Sequence, residues 1–311
     1  MISVVICAYT EQRWADLRAC VESLGRQTLP PHEVLLVVDY NEALAERVAA
    51  EMSTVTVVKN NGARGLSGAR NTGVARASGD VIAFLDDDAA AAPDWLATLA
   101  QAYHDPAVVG VGGSIEPAWR RGRPAWFPRE FDWVVGCTYR GMPQRAEAVR
   151  NFIGANMSFR REVFDRVGGF QEALGRTAGK LMGSEETELC IRALRAFPGR
   201  VLLYEPRAIV FHQVPEARAR WRHFRARCYA EGMSKALVSH LVGAGAGLAT
   251  ERAYVVRTLP RAVVRYLGEL ARGDRYAAAR VAATVAGLGI TIAGYLAGQG
   301  RWQIAAAARR R

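Results

Sequence analysis

The chain has no Cys-x-x-Cys pair, and its five cysteines (Cys7, Cys20, Cys137, Cys190, Cys228) follow no zinc-ligand spacing. An odd, scattered set argues against a disulfide framework and a zinc finger, and predicts reduced thiols in a cytosolic chain. There is no Gly-Lys-Ser/Thr phosphate loop, and no Gly-x-Gly-x-x-Gly follows the first apolar run. The two common nucleotide fingerprints are therefore missing. No internal repeat with the period of a solenoid is visible. No signal-peptide pattern precedes the first strand, so an active site facing the cytoplasm is expected. Disorder is excluded as the main state, because half of the 311 residues are apolar and 23% charged.

Basic residues are plentiful, 41 against 30 acidic, a net charge of +11. Such an excess first suggests nucleic acid, but its distribution argues otherwise. Residues 1–215 carry 24 basic and 25 acidic side chains, whereas 216–311 carry 17 and 5. The whole excess lies in the last third, and no nucleic-acid partner is expected.

The runs Ile2–Cys7, Glu33–Val38, Thr54–Lys59 and Asp80–Leu85 are short, apolar and β-branched, as buried parallel strands are. Helices are predicted between them over 13–26, 41–52 and 66–77. In the first, Trp14, Leu17, Val21 and Leu24 recur at intervals of three and four. Pro93 suits the first turn of another helix, reaching Tyr103. This alternation predicts an α/β fold, a Rossmann-like and mostly parallel sheet flanked by helices. Ligands of such sheets sit at the carboxyl ends of the strands. Asp39 and Asp86–Asp88 fall there and are expected to share a crevice. From Val108 the chain turns aromatic (Trp119, Trp126, Phe127, Phe131, Trp133, Tyr139) among prolines and arginines, which predicts irregular surface over the sheet. Residues 185–196 read as a helix and 201–212 as one or two strands.

Three successive carboxylates, Asp86, Asp87 and Asp88, repel one another after an apolar strand. A divalent cation relieves that repulsion, and hard oxygen ligands suit Mg2+ or Mn2+; a solvated acidic turn is the alternative. Glu185, Glu186 and Glu188 open a helix, where acids stabilise the dipole or serve as a base toward an acceptor hydroxyl. Arg64–Asn71 combines a glycine turn, two guanidinium groups (Arg64 and Arg70) and a helix start, which suits an anion or a plain connection equally. His212 follows the strand Ala208–Phe211 and reads either as structural or as completing a metal or diphosphate site.

Together these residues resemble the family 2 glycosyltransferases over residues 1–215. The motifs are Val4-Val-Ile-Cys-Ala-Tyr-Thr10, Val37-Val-Asp39, Gly68-Ala-Arg-Asn-Thr-Gly73, Gly79-Asp-Val-Ile-Ala-Phe-Leu-Asp-Asp-Asp88, Gly154-Ala-Asn-Met-Ser-Phe-Arg160, Gly168-Gly-Phe170 and Glu185-Glu-Thr-Glu-Leu189. The resemblance implies the GT-A fold and an inverting, metal-dependent hexosyltransferase. It places Ala8, Tyr9, Glu11 and Asp39 around the nucleotide base, and Arg64, Arg70, Asn71 and Asp87 near the nucleotide sugar. Asp88 is the implied direct metal ligand and Asp86 lies nearer the ribose; His212, read from its position alone, is the third candidate ligand. The base is Glu186, followed by Glu188, where the common pattern has aspartate. Asn156 and Trp133 fall on the implied acceptor side. The implied donor is a nucleotide diphosphate sugar, by family habit a uridine one. A subgroup of glucuronosyltransferases acting on glucosyl dolichyl phosphate is similar in Phe131-Asp-Trp-Val-Val-Gly-Cys-Thr-Tyr-Arg-Gly-Met142 and in the Glu-Glu-Thr-Glu variant.

Residues 216–311 form a basic helical extension. The stretch 281–300 has no charge and as a helix is long enough to cross a bilayer, at about 1.5 Å per residue. Before it, Val255, Leu259, Val263, Tyr266 and Leu270 mark one helix face and Arg252, Arg257, Arg261 and Arg265 another, which suits anionic lipid. The expectation is a catalytic part, 1–215, and a membrane-associated part, 216–311, at the cytoplasmic face of the cell membrane, peripheral or C-terminally anchored. The acceptor is then lipid-linked or a surface polysaccharide, and a homo-oligomer is compatible with the sequence. A soluble enzyme for a small acceptor and a catalytically silent nucleotide-sugar binding module are the competing readings.

Overall fold

In the computed structural model, which describes residues 1–175, 183–243, 245 and 248–308, the first apolar run forms strand β1 (Ile2–Ala8), buried except at Cys7. A strand covered on both faces has this continuous apolar character. β2 (Glu33–Val38) lies parallel to β1 on one side and β4 (Val81–Asp86) on the other; β3 (Thr56–Lys59) lies outside β2. Cys7 is level with Asp86 and Ala8 with Val38. This register brings Asp39 and Asp86 to the same carboxyl edge. Helices α1 (Trp14–Gly25), α2 (Glu42–Glu51), α3 (Leu66–Arg76) and α4 (Trp95–Ala102) follow as the apolar spacing predicts. Asn41 caps α2, its side chain accepting from the Leu44 amide at 3.0 Å.

Beyond β4 the structure departs from the sequence expectation. Residues from Val108 form a long strand, β6 (Val108–Trp119), whose first eight positions are buried. β5 (Ala89–Ala91), β7 (Glu147–Val149), β8 (Asn156–Arg160) and β9 (Val201–Val214) complete one sheet among the described residues, in the order β3-β2-β1-β4-β8-β6-β9-β5, with β7 on β9. β8 runs antiparallel to β4 and β6, and β9 antiparallel to β5 and β7. The sheet is thus mixed, parallel from β3 to β4 and antiparallel where β8 meets β4 and β6 and where β9 meets β5 and β7. Glycines disguised β6. A Cβ at Gly112 would come within 2.3 Å of the Phe152 ring, and one at Gly113 within 1.9 Å of the Ala208 carbonyl. Neighbours fill the space that side chains would take, so strand propensity is low where packing is tight. Helices α5 (Arg161–Val167) and α6 (Glu185–Ala196) cover this half. Val5, Val37, Phe84, Phe159 and Leu189 are among the residues of the core.

The described residues divide into two compact units, one of 1–116, 143–175 and 185–213 and one of 117–142, 183–184 and 214–308. The first holds the sheet, apart from the last residues of β6 and β9. The second contains a 3-10 helix (Arg129–Val135), α7 (Trp221–Val242), α8 (Ala249–Ala253), a π turn (Tyr254–Thr258), α9 (Leu259–Ala271) and α10 (Ala277–Ala308). The aromatics of 119–139 form its core, with Trp126, Phe127 and Phe131 meeting Phe224 at ring distances of 5.3 to 5.5 Å. Glycines also decide how α10 packs on α7. A Cβ at Gly232 would lie 2.1 Å from the Thr291 carbonyl, and one at Gly294 2.2 Å from the Tyr229 carbonyl. The opposite face of α10 exposes Val285, Ile292 and Leu296.

Arg265, expected on a basic helix face suited to anionic lipid, turns inward. It donates to the fully buried Glu130 at 2.6 Å, and the Tyr266 hydroxyl donates to the other carboxylate oxygen at 2.6 Å. Burial, with the bond to Glu130, pushes the Tyr266 hydroxyl from its ordinary 10.0 up to about 12. A folded value above the unfolded one means stability that is whole below pH 10 and lost as the pH rises to about 12. Tyr266→Phe is expected to flatten the fall in melting temperature across that interval, followed by circular dichroism. An unchanged slope would refute it.

Candidate active site

β4 delivers Asp86 to the carboxyl edge, and the chain turns through Asp87 and Asp88 before β5. Asp86 stays partly open; Asp87 and Asp88 are buried. β9 supplies His212, opposite Ala89 in the sheet and only 2% exposed. Its Nε2 stands 3.1 Å from Asp88 Oδ1. One ligand atom each from Asp86, Asp88 and His212 lies within 4.8 Å of the other two. Two carboxylates and one imidazole converging at an edge fit a divalent cation of hard to borderline character. Arg13, which the sequence reading missed, donates through Nη1 to Asp87 at 2.6 Å and Asp88 at 3.0 Å. It restrains the acidic turn from the side while His212 meets the other Asp88 oxygen. No local sequence signal marks Arg13, because the contact joins the turn after β1 to the turn after β4, more than 70 residues on.

Arg70, expected near the nucleotide and its phosphates, is built into the protein interior beside the acidic turn. It is 2% exposed and donates to Glu185 at 2.7 Å, the Gly154 carbonyl at 3.0 Å and Asp86 at 3.3 Å. It is an internal cation tying the acidic turn to the first residue of α6. The second oxygen of Glu185, Oε2, is buried with no hydrogen-bond partner among the described residues. Ser184 precedes it at φ 72, a strained backbone for a serine. Glu186 is the partly exposed acid of the group. Glu188 is buried and gripped by Arg192 through bonds of 2.6 and 2.8 Å; Arg192 also holds the Val167 and Gly169 carbonyls. Glu188, expected to follow the base as a second acid, is therefore held as an anchor of α6.

At the end of β2, Asp39 accepts from the Asn60 amide at 2.7 Å and the Gly65 amide at 3.0 Å. Asn60, also missed, accepts from Gly62 and Thr72 and donates to the Ala63 carbonyl, so it organises the turn before α3. Its signal was the Asn-Asn-Gly turn. The Ala8 carbonyl accepts from the Asp39 amide. Tyr9 and Tyr40 are exposed, with the Arg13 and Arg64 guanidiniums at 4.9 and 5.8 Å from their rings. The Glu11 carboxyl is held below the usual carboxylate range by its own backbone amide and by Asn41. Burial pushes the Cys7 thiol up to about 12, so it stays neutral.

Two further residues expected at the site have structural hydrogen bonds at both polar ends. Both polar ends of Asn71 are engaged by the Phe170 backbone, at 2.7 and 2.9 Å, so it clamps a turn. Asn156, expected on the acceptor side, is fully buried, accepting from Trp95 and donating to the Ser114 and Ala208 carbonyls, so it locks the sheet. Trp133 lies in the second unit, half-buried, donating to the Tyr254 hydroxyl at 3.2 Å.

Residues 3–168 match the family "Glycosyl transferase family 2". A glucosyl-dolichyl phosphate glucuronosyltransferase of Haloferax volcanii is 38% identical over 77% of this chain and 78% of its own. The succinoglycan biosynthesis protein ExoM of Rhizobium meliloti is 27% identical over 75% and 73%. Among solved structures, a mannosyltransferase of Pyrobaculum calidifontis in complex with GDP-Man and Mn2+ superposes with a TM-score of 0.59 at 18% identity, covering 95% of this chain and 86% of that one. GalNAc-T7 with UDP, GalNAc and Mn2+ gives 0.51 at 23% identity, covering 69% and 44%. The fold is GT-A-like, with a DxD-type acidic motif. The chain belongs to glycosyl transferase family 2 and is a hexosyltransferase.

Proposed function

We propose that the chain moves a sugar, with inversion, from a nucleotide diphosphate sugar to a lipid-linked acceptor. The convergence of Asp86, Asp88 and His212 carries this reading. Asp88, Asp86 and His212 would hold Mn2+ or Mg2+, which when bound neutralises charge on a leaving diphosphate. Ala8, Tyr9, Glu11, Asp39 and Arg64 surround the base and ribose of the donor, a uridine diphosphate sugar. Arg13 and Arg70 keep the acidic turn in place, and Asp87 is held by Arg13. Glu186 takes the proton of the acceptor hydroxyl as it attacks the anomeric carbon. The name of the Haloferax relative supports glucuronate as the sugar and a glucosyl polyprenyl phosphate as acceptor; a polysaccharide acceptor is the second reading, favoured by the likeness to ExoM.

The second unit supports membrane association, with residues 216–311 as the membrane-associated part and 1–215 as the catalytic part. Val256, Val264 and Leu267 are exposed, α10 is long and apolar enough to cross a membrane, and its outer face is apolar. The site would face the cytoplasm, where the thiols stay reduced.

The test is turnover of UDP-glucuronate with a glucosyl polyprenyl phosphate and Mn2+. Glu186→Gln is expected to lower kcat by roughly 100-fold or more with the melting temperature unchanged. Glu188→Gln should lower the melting temperature while sparing most of kcat. The reverse pattern would overturn the assignment of the base, and no thermal shift with any nucleotide sugar would overturn the donor class.

A further inference from the structure

The second unit carries a pocket of about 350 Å³ that the proposed reaction does not use. Four guanidinium groups line it (Arg123, Arg129, Arg140, Arg280), with Tyr266 and a single carboxylate, Glu269. Two of the four have acid partners. Arg123 grips Asp132 through bonds of 2.6 and 2.7 Å. Arg280 holds Glu269 at 2.9 Å, also binds Asp274, and donates to the Ala125 carbonyl at 2.9 Å. These bonds fix the walls of the pocket in place.

Arg129 and Arg140 are different. Both are exposed, and among the described residues neither forms an ion pair. The Arg140 amide donates to the Arg129 carbonyl at 3.1 Å, which sets the two residues side by side. Two cations are thus placed together by the backbone, beside two more; the nearby Asp132 feels the charge of Arg129 but forms its ion pair with Arg123. An anion with several oxygens answers this arrangement, because guanidinium forks bind phosphate oxygens in pairs.

The surroundings indicate what presents the phosphate. α9, which lends Tyr266 and Glu269 to the pocket, exposes Val264 and Leu267 on its next face, and Val256 lies just before it. A phosphate pocket beside an exposed apolar helix face suits a lipid whose headgroup enters the pocket and whose chains lie along the apolar face. We propose that this pocket binds the phosphate of an anionic lipid headgroup. The lipid source rests on the membrane association proposed above; the phosphate chemistry does not.

The full chain, wild type and Arg129→Gln/Arg140→Gln, is titrated with three probes. These are phosphatidylcholine vesicles doped with phosphatidylglycerol, a soluble short-chain phosphatidylglycerol, and inorganic pyrophosphate. Arg257→Gln/Arg261→Gln removes equal charge from exposed positions outside the pocket and serves as control. Both pairs are at the surface, and unchanged melting confirms folding. The pocket variant is expected to lose about tenfold in affinity for doped vesicles and for the short-chain lipid. The control should lose less, on vesicles only, and most of that difference should vanish in high salt. Equal losses in both variants, or none in the pocket variant, would overturn the site. Pocket-dependent binding of pyrophosphate without the short-chain lipid would overturn the lipid source and leave the phosphate chemistry standing. Pocket-dependent binding of the short-chain lipid without vesicle binding would support the site and count against the membrane reading.

Discussion

Asp88→Asn is expected to lower kcat/KM by roughly a thousandfold or more while leaving the chain folded. Asp88 is the carboxylate that His212 meets on one oxygen, at 3.1 Å, and Arg13 on the other, at 3.0 Å. An asparagine keeps the volume but loses the charge that would hold the cation. Stabilisation of a leaving diphosphate by such an ion amounts to several kcal/mol, and each 1.36 kcal/mol is tenfold in rate. The fold should tolerate the change, because Arg13 retains Asp87 at 2.6 Å. Mn2+ binding, followed by the paramagnetic signal of the free ion, should weaken in parallel with turnover. An Asp88→Asn enzyme with undiminished Mn2+ affinity would remove this residue from the site, and near-normal turnover would refute the metal-dependent reading.

The second large effect is on stability. Arg70→Met is expected to cost roughly 3–5 kcal/mol, the range for breaking a buried ion pair from one side. On a chain of this size that is a fall of about 5–8 °C in melting temperature. The reason is local. Arg70 is buried against the Phe84 and Phe170 rings, at 5.9 and 5.4 Å, and is the hydrogen-bonding partner of Glu185 Oε1. Removing it leaves a buried carboxylate with neither oxygen satisfied, since Oε2 already has no partner among the described residues. Arg70→Met/Glu185→Gln should recover a large part of the lost stability, because the stranded charge is gone. Recovery of activity should not follow, since Asp86 loses the same guanidinium. If the double variant melts no higher than Arg70→Met, the ion pair is not the origin of the loss.

The parallel half of the sheet was legible because its signals are local. Continuous apolar runs, helices with apolar residues at three and four, and acids at strand ends all lie within short windows of sequence. The same holds for the acidic turn at Asp86–Asp88 and for the helix opening at Glu185. The antiparallel half was not legible. β6 holds Gly110, Gly112 and Gly113, and its pairing with β8 and its place beside β9 join residues far apart in the chain.

The site divides in the same way. Sequence by itself determined the family motifs, the residue types available at the carboxyl edge, and the segregation of positive charge into the last third. Only the tertiary structure decided which of several similar side chains are buried in ion pairs and which keep some exposure to solvent. Glu186 and Glu188 are two positions apart and chemically alike, yet Arg192 grips one and leaves the other partly open. Arg70 and Asn71 adjoin in one motif, yet one joins two acidic clusters and the other clamps a turn. Arg265 shares the rhythm of Arg257 and Arg261 but is drawn to a buried carboxylate 135 residues away. A side chain's charge is written in its own residue, but its partner is set by whichever distant segment packs against it, and no spacing along the chain encodes that.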